Sequence, residues 1–401
     1  MTPGRWRNWV VLLAMCVAVL GALAYVRSHA TPPVYSQTLY VFGTIVEIVI
    51  NGDETAVAEA AATSVGSQLQ IDHHAWHSWR AGEITDLSGA IAHGEDFFAS
   101  VDLAALLREA QKLSVASGGL FEPAIGRLIA LWGFHSDSLP TGPPPTTEDI
   151  APLLAARPRM TDLRTVGRRV SSANPNVQLN LGAFAKGVAL ERAAELLKSA
   201  GIEEAVLNAG GDVLVLGRHG ARAARVAVRD PFGWGVMASL DMRPGEAVFT
   251  SSNYERFLEH DGARFSHILD PRTGRPVGGI VSATVLHPDA GRADAAATAL
   301  SVAGPEGWVS VAEAMGIDLA LLIDDTGRLY MTPAMATRLE HPSAGEIAHG
   351  RHWSETPHSA AGSSTMILGV KMRFPETNPR RMKFATRDGD RSSQDQEAEN
   401  A

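Results

Sequence analysis

The chain has 401 residues and a formal net charge of −9, from 35 Lys+Arg against 44 Asp+Glu; it is 45% hydrophobic and carries one cysteine. An acidic chain without a block of basic residues is a poor nucleic-acid binder. A lone Cys16 excludes an internal disulfide framework and any cysteine-rich metal site.

The first element is Trp9 to Val26, 18 residues without a charge, preceded by Arg5 and Arg7. Its length fits the short end of a membrane-spanning helix, and the leading arginines place the N-terminus in the cytoplasm. Three readings compete: an uncleaved anchor, a signal cleaved after Ala30, and a lipoprotein box ending at Cys16, which Met15 fits poorly. Under each, residues 1–30 export or anchor the remainder.

Residues 34–340 read as globular. Leu39 to Ile50 is rich in β-branched and aromatic residues and ends at Asn51-Gly52, the pattern of one strand entering a turn. Thr55 to Leu69 is alanine-rich and predicted helical. Asp102 is the predicted cap of a helix through Ser117, with Leu103, Leu106, Leu107, Ala110 and Leu113 inward and Gly118-Gly119 as its stop. Pro140 to Pro145 is a loop.

Lys186 to Ala200 is a second amphipathic helix, stopped by Gly201. Val206-Leu207 and Val213 to Leu216 read as strands around Gly210-Gly211. Phe265 to Leu269, Val281 to Leu286 and Leu319 to Ile323 are further predicted strands, with Asp325-Thr326-Gly327 as the last hairpin turn. Ala293 to Val302 and Pro305 to Met315 are predicted helices. The elements follow no regular βαβ repeat, which favours α+β over a doubly wound sheet. From His341 to Ala401 polar residues dominate without periodicity, so a loose extension with solvated His349, His352 and His358 is expected.

Walker A, G-x-G-x-x-G, HExxH and G-x-S-x-G patterns are absent. His73 and His77 are spaced as zinc ligands can be. No third ligand stands nearby, and Trp76 and Trp79 favour a packed helix end. Three segments carry more. Leu179 to Gly187 reads as a strand, a small-residue turn and a helix start with Lys186 in its first turn; free N–H groups and a lysine there suit an anion, though such turns also serve packing. Ser266 to Gly274 contains Asp270-Pro271-Arg272-Thr273-Gly274, a good turn by chemistry alone, with His267 able to move a proton. Arg292 to Leu300 places Asp294 and Thr298 one helical turn apart. They are hard oxygen ligands for Mg²⁺, or equally a buried pair satisfied within the fold.

In this order and spacing, the three segments resemble the ApbE family of flavin transferases. Phe42-Gly43-Thr44, Gly119-Leu120-Phe121-Glu122-Pro123, Asn208 to Asp212, and Thr250-Ser251 before Tyr254-Glu255-Arg256 add to the resemblance. It runs from about Leu39 to Leu329 and implies a bilobed, T-fold-like α+β domain with its site in the cleft between lobes. It implies FAD as substrate and Mg²⁺ as cofactor. The FMN moiety would pass to a Thr or Ser hydroxyl of an exported or membrane flavoprotein of a redox complex, releasing AMP.

The resemblance assigns Mg²⁺ to Asp294, Thr298 and the Ala183 carbonyl, and a FAD contact to Lys186. Phe42, Trp79, Leu120, Phe121, Glu122, Asn180 and Leu269 would line the flavin and adenine pockets. His267, or a nearby carboxylate, is the candidate base. Asn180 stands where the family often has Asp, Phe42 where it has Met, and Glu122 where it has Asp. Hydrolysis of FAD to FMN and AMP, and flavin binding without catalysis, are the alternative functions. The expected location is the bacterial inner membrane with the domain facing the periplasm, or the periplasm after cleavage.

Overall fold

The computed structural model describes Met15 and residues 33–218, 223–233, 235–340, 356–358 and 367–369. Apart from Met15, the apolar segment 9–26 lies outside the described residues, as does most of 341–401. Among those described, no helix is long and apolar enough to cross a membrane. Within 341–401, residues 356–358 pair antiparallel with 367–369.

Eight strands form one sheet whose spatial order follows chain order. They are β1 (Val34–Val41), β2 (Thr44–Asn51), β3 (Ala205–Ala209), β4 (Asp212–Leu216), β5 (Ala247–Ser252), β6 (Ile280–His287), β7 (Leu319–Asp324) and β8 (Leu329–Met331). Every neighbouring pair is antiparallel. That agrees with the α+β expectation and excludes a doubly wound sheet.

The side-chain period of two sorts the strands between two cores. Leu214, Phe249, Val285 and Leu322 face the larger core, while Val213, Val248, Leu286 and Leu321 face the other. Helices α1 (Thr55–Ala75), α2 (Val101–Ala116), α3 (Ala185–Ser199) and α4 (Ala290–Met315) cover the larger core. A three-stranded sheet of Ala224–Arg229, Val236–Met242 and Leu339–Glu340 covers the second. The alanines of α4 at 293, 295, 296, 297 and 299 are fully buried, which lets this helix lie close on β5 and β6.

Several boundaries differ from the sequence reading. Leu39 to Ile50 is not one strand: Phe42 (φ 53°) and Gly43 (φ 72°) make a two-residue turn between β1 and β2. The left-handed conformation disfavours a bulky residue such as Phe, so the sequence hid the turn. Ser100, not Asp102, caps α2, its Oγ accepting from Leu103 N at 3.0 Å. The strand expected before Lys186 is a single bridge between Gln178 and Ile125. Phe265 to Leu269 splits into Ala263–Ser266 and Leu269–Asp270. The two helices expected between Ala293 and Met315 start earlier, at Ala290, and meet at a kink where Gly304 adopts φ 72°.

A smaller lobe gathers around Ile125, Leu128, Trp132, Phe134, Ile150, Leu258 and Leu269. Trp132 Nε1 donates to Gly274 O at 2.8 Å within it. On the main body, Arg192 of α3 pairs with Asp72 of α1 at 2.6 Å and lies over the Trp76 ring at 5.1 Å. Asp72 is buried, and its Oδ2 accepts no hydrogen bond among the described residues. Arg192→Met will therefore strand a buried charge and cost about 3 kcal/mol in urea unfolding. Adding Asp72→Asn should recover most of that loss; a second additive loss would show that the pair is not the cause.

Candidate functional site

The turn end of the sheet builds the site. The β1–β2 and β3–β4 turns lie side by side there, with Gly210 N donating to Ile45 O at 3.0 Å. Gly210 has φ 66°, and a Cβ on it would overlap the Thr44 side chain. These two contacts join the Phe42-Gly43-Thr44 and Gly210-Gly211-Asp212 segments. Asp212, the first residue of β4, is 4% exposed. Its Oδ1 accepts from Thr250 N at 2.9 Å, and its Oδ2 forms an ion pair with Lys186 Nζ.

Lys186 occupies the first turn of α3. Burial works against its charge, but Asp212, Asp294 and Glu255 outweigh it and hold the ammonium above the ordinary lysine range. Burial first, then Asp212, raises the Asp294 carboxyl, while Lys186 and the Gly187 N–H oppose the shift. Glu255 is raised as well, burial being the largest cause. One lysine thus stands among three carboxylates.

Two oxygens stay open at the start of α3 and beside it. Gly187 N would ordinarily donate to Ala183 O, four residues back. It donates instead to Asp294 Oδ2 at 3.1 Å. The Ala183 carbonyl accepts no hydrogen bond among the described residues, and neither does Asp294 Oδ1. Thr298, one turn after Asp294 on α4, has its Oγ1 2.9 Å from Ser251 Oγ of β5. A freed carbonyl, a free carboxylate oxygen and a hydroxyl are the oxygen donors a hard divalent cation takes, with water or phosphate completing the shell. No group of three or more His, Cys, Asp or Glu residues able to hold a metal occurs among the described residues.

A wall of rings rises beside this cluster. Phe42 N donates to His73 Nδ1 at 3.2 Å, and the two rings meet edge-on at 5.4 Å. His73 contacts His77, His77 contacts Trp79, and Trp79 stacks on His135 at 5.5 Å. Asn180 Nδ2 donates to His135 Nε2 at 3.0 Å, and Asn180 Oδ1 accepts from Gly182 N at 3.0 Å. Burial lowers all three histidines, His135 to about 4. They are neutral at pH 7 and serve as acceptors. Among the expected pocket residues, Phe42, Trp79 and Asn180 come together here.

Others turn inward. Phe121 is buried against Phe184 at 5.9 Å, Leu269 is buried in the small lobe, and Leu120 packs partly buried on the main core. Glu122 is 8% exposed. Its carboxylate accepts from Ser114 Oγ, Ala124 N and Met160 N at 3.0, 3.1 and 2.8 Å. It braces the loop behind the site, which a shorter Asp would not reach in the same way. Burial raises it to about 7 against three lowering hydrogen bonds.

An acid raised above its unfolded value contributes stability below about pH 4.5 and loses it as pH rises through about 7. Glu122→Gln should therefore flatten the wild-type decline in unfolding free energy over that window, a difference of about 3 kcal/mol at most. Parallel pH curves for the two proteins would contradict this role.

His267 sits at the edge of the small lobe. Its Nδ1 donates to Arg256 O at 3.1 Å, leaving Nε2 as an acceptor. Burial lowers it to about 4, so the ring is neutral at physiological pH. The sequence reading passed over Asp212, Glu255, Arg256 and His135 as site residues. For Asp212 the Gly-Gly turn before it was the available signal; a single histidine in a loop gives none.

The sheet end brings a cation, open oxygens and stacked rings together, groups with the chemistry to take phosphate and aromatic parts of a ligand. Residues 42–322 match the model of the ApbE family. A relative from Rhodobacter capsulatus named FAD:protein FMN transferase is 48% identical over 318 residues, 79% of this chain and 60% of that relative's length. One of the same name from Vibrio cholerae is 29% identical over 341 residues, 81% of this chain and 96% of the relative.

Among solved structures, the ApbE protein of Thermotoga maritima superposes with a TM-score of 0.70 at 28% identity, covering 76% of this chain and 99% of that one. The flavin transferase ApbE of Vibrio cholerae gives 0.68 at 26%, covering 77% and 99%. The chain belongs to the ApbE family, a family of enzymes.

Proposed function

We propose that the chain transfers the FMN moiety of FAD to a Thr or Ser hydroxyl of a partner flavoprotein and releases AMP. The hydroxyl oxygen attacks the FMN phosphorus, the P–O bond to the AMP phosphate breaks, and AMP departs with the bridging oxygen. One observation carries the reading: Gly187 N donates to Asp294 Oδ2 and so leaves the Ala183 carbonyl open, while the Asp294 carboxylate, with Oδ1 unengaged among the described residues, acts on the Lys186 charge. Ala183, Asp294 and Thr298 would hold Mg²⁺, which when bound neutralises charge on the pyrophosphate oxygens.

Lys186 contributes a fixed positive charge to the leaving phosphate. For that it must exchange part of its pairing with Asp212. The Phe42, Trp79 and His135 rings offer stacking surfaces for the ligand's aromatic systems. Neutral His267, with Nε2 free, takes the hydroxyl proton. We further propose that residues 1–30 export or anchor the domain, so that its acceptors are exported or membrane flavoproteins.

The test is incubation of the purified chain with FAD, Mg²⁺ and an acceptor domain. A covalent fluorescent acceptor band with one AMP per flavin attached supports the reading. Equal AMP release without acceptor would make the enzyme an FAD hydrolase instead.

A further inference from the structure

A three-stranded sheet of Phe97–Phe98, Leu163–Val166 and Arg169–Ser172 takes no part in the site. Its register sets Phe98, Arg169 and Val166 in one cross-strand row, with Arg164 and Ser171 in the next row on the same face. The opposite face carries Val170, fully buried in the main core, and Phe97, packed on it. The outward row is open to solvent: Phe98 is 70% and Val166 59% exposed.

The outer face of α2 continues this surface. Val101, Ala105, Arg108, Lys112 and Val115 recur at helical spacing and are all exposed. Arg108 joins the two parts by donating to Gly167 O at 3.1 Å.

Residues 157–170 contain five arginines and one acidic residue in a chain of net charge −9. They are spaced along the chain, so no basic block shows in the sequence; the hairpin carries three of them, Arg164, Arg168 and Arg169. Asp96 pairs with Arg169, and Glu109 with Lys112. Arg108, Arg164 and Arg168 have no carboxylate partner among the described residues. Side chains that alternate between exposed apolar and unneutralised cationic match a lipid surface, where apolar groups enter the interface and cations meet phosphates.

We propose that this face docks on an anionic lipid surface, with Arg164, Arg168 and Arg108 on headgroup phosphates and Phe98, Val101 and Val166 in the interface. The docking extends the proposed anchoring by residues 9–26, and the test separates the two. The full chain carries Cys16→Ser and Val101→Cys labelled with an environment-sensitive fluorophore. It is mixed with phosphatidylglycerol-rich or pure phosphatidylcholine vesicles, and flotation is read alongside emission.

The expected result is a blue-shifted, brighter emission on phosphatidylglycerol only, lost at high salt. Arg164→Glu should weaken that response on the order of tenfold, and Phe98→Ser should weaken it too. Unchanged emission in a chain that floats with both vesicles would leave the anchor standing and overturn the docking face. A response on phosphatidylglycerol without flotation on phosphatidylcholine would support the face and count against the anchor.

Discussion

Asp294→Asn is expected to slow FMN transfer on the order of a thousandfold while leaving the fold intact. Asn keeps the shape and can still accept from Gly187 N, so the start of α3 holds its place. What disappears is the charged oxygen that points away from that bond. The same change should not destabilise the protein. Burial and Asp212 raise the Asp294 carboxyl above its ordinary range. A raised acid is most favourable to the fold when protonated, so its ionisation opposes folding as pH climbs.

Removing the charge relieves that opposition. With a chelator present, the variant's thermal midpoint should equal or exceed the wild type's. Transfer within tenfold of wild type would contradict the assignment, and a large drop in melting temperature would show that Asp294 serves mainly the fold.

Gly187→Ala should lower stability and transfer together. A Cβ at this position would overlap the Ala290 carbonyl and come within 2.8 Å of Gly291 Cα. These are backbone atoms at the start of α4, and no rotamer change moves them aside. The helices would have to separate where Gly187 N meets Asp294, so packing and site suffer together. The expected cost is about 3 kcal/mol, or a melting temperature lower by roughly 5–10 °C. Transfer should fall as well, because the helix that carries Lys186 shifts against the one that carries Asp294. An alanine variant that melts like wild type would mean that the two helix starts have slack which the close approach denies.

The parts of this site that lie close in sequence were legible. Asp294 and Thr298 share a helix face by spacing alone, and Lys186 sits where a helix begins. Pairings across the fold were not. Asp212 reaches Lys186 from 26 residues away, across a hairpin whose position only the assembled sheet defines. His135 meets Asn180 from the other lobe, 45 residues away.

Phe42 shows a different obstacle. Its left-handed turn runs against its own preference and is held by the hydrogen bond to His73. Local propensity therefore pointed to one strand where there are two. Glu122 was read as a pocket residue by resemblance, yet its oxygens are taken by a loop that no local pattern ties to it. The fold class was legible in a coarse sense, since the lack of βαβ repeats already favoured α+β over a doubly wound sheet; the antiparallel strand order was not.

The central claim is that the Ala183 carbonyl and Asp294 Oδ1, together with Lys186, act on the pyrophosphate of FAD. Intact-mass measurement of an acceptor domain after incubation with the full chain and FAD tests it most directly, with Mg²⁺ or chelator and with wild type or Asp294→Asn. The account expects the acceptor to gain one FMN only with wild type and Mg²⁺, while both proteins still quench bound FAD. Equal flavinylation by Asp294→Asn, or by wild type in chelator, would contradict it.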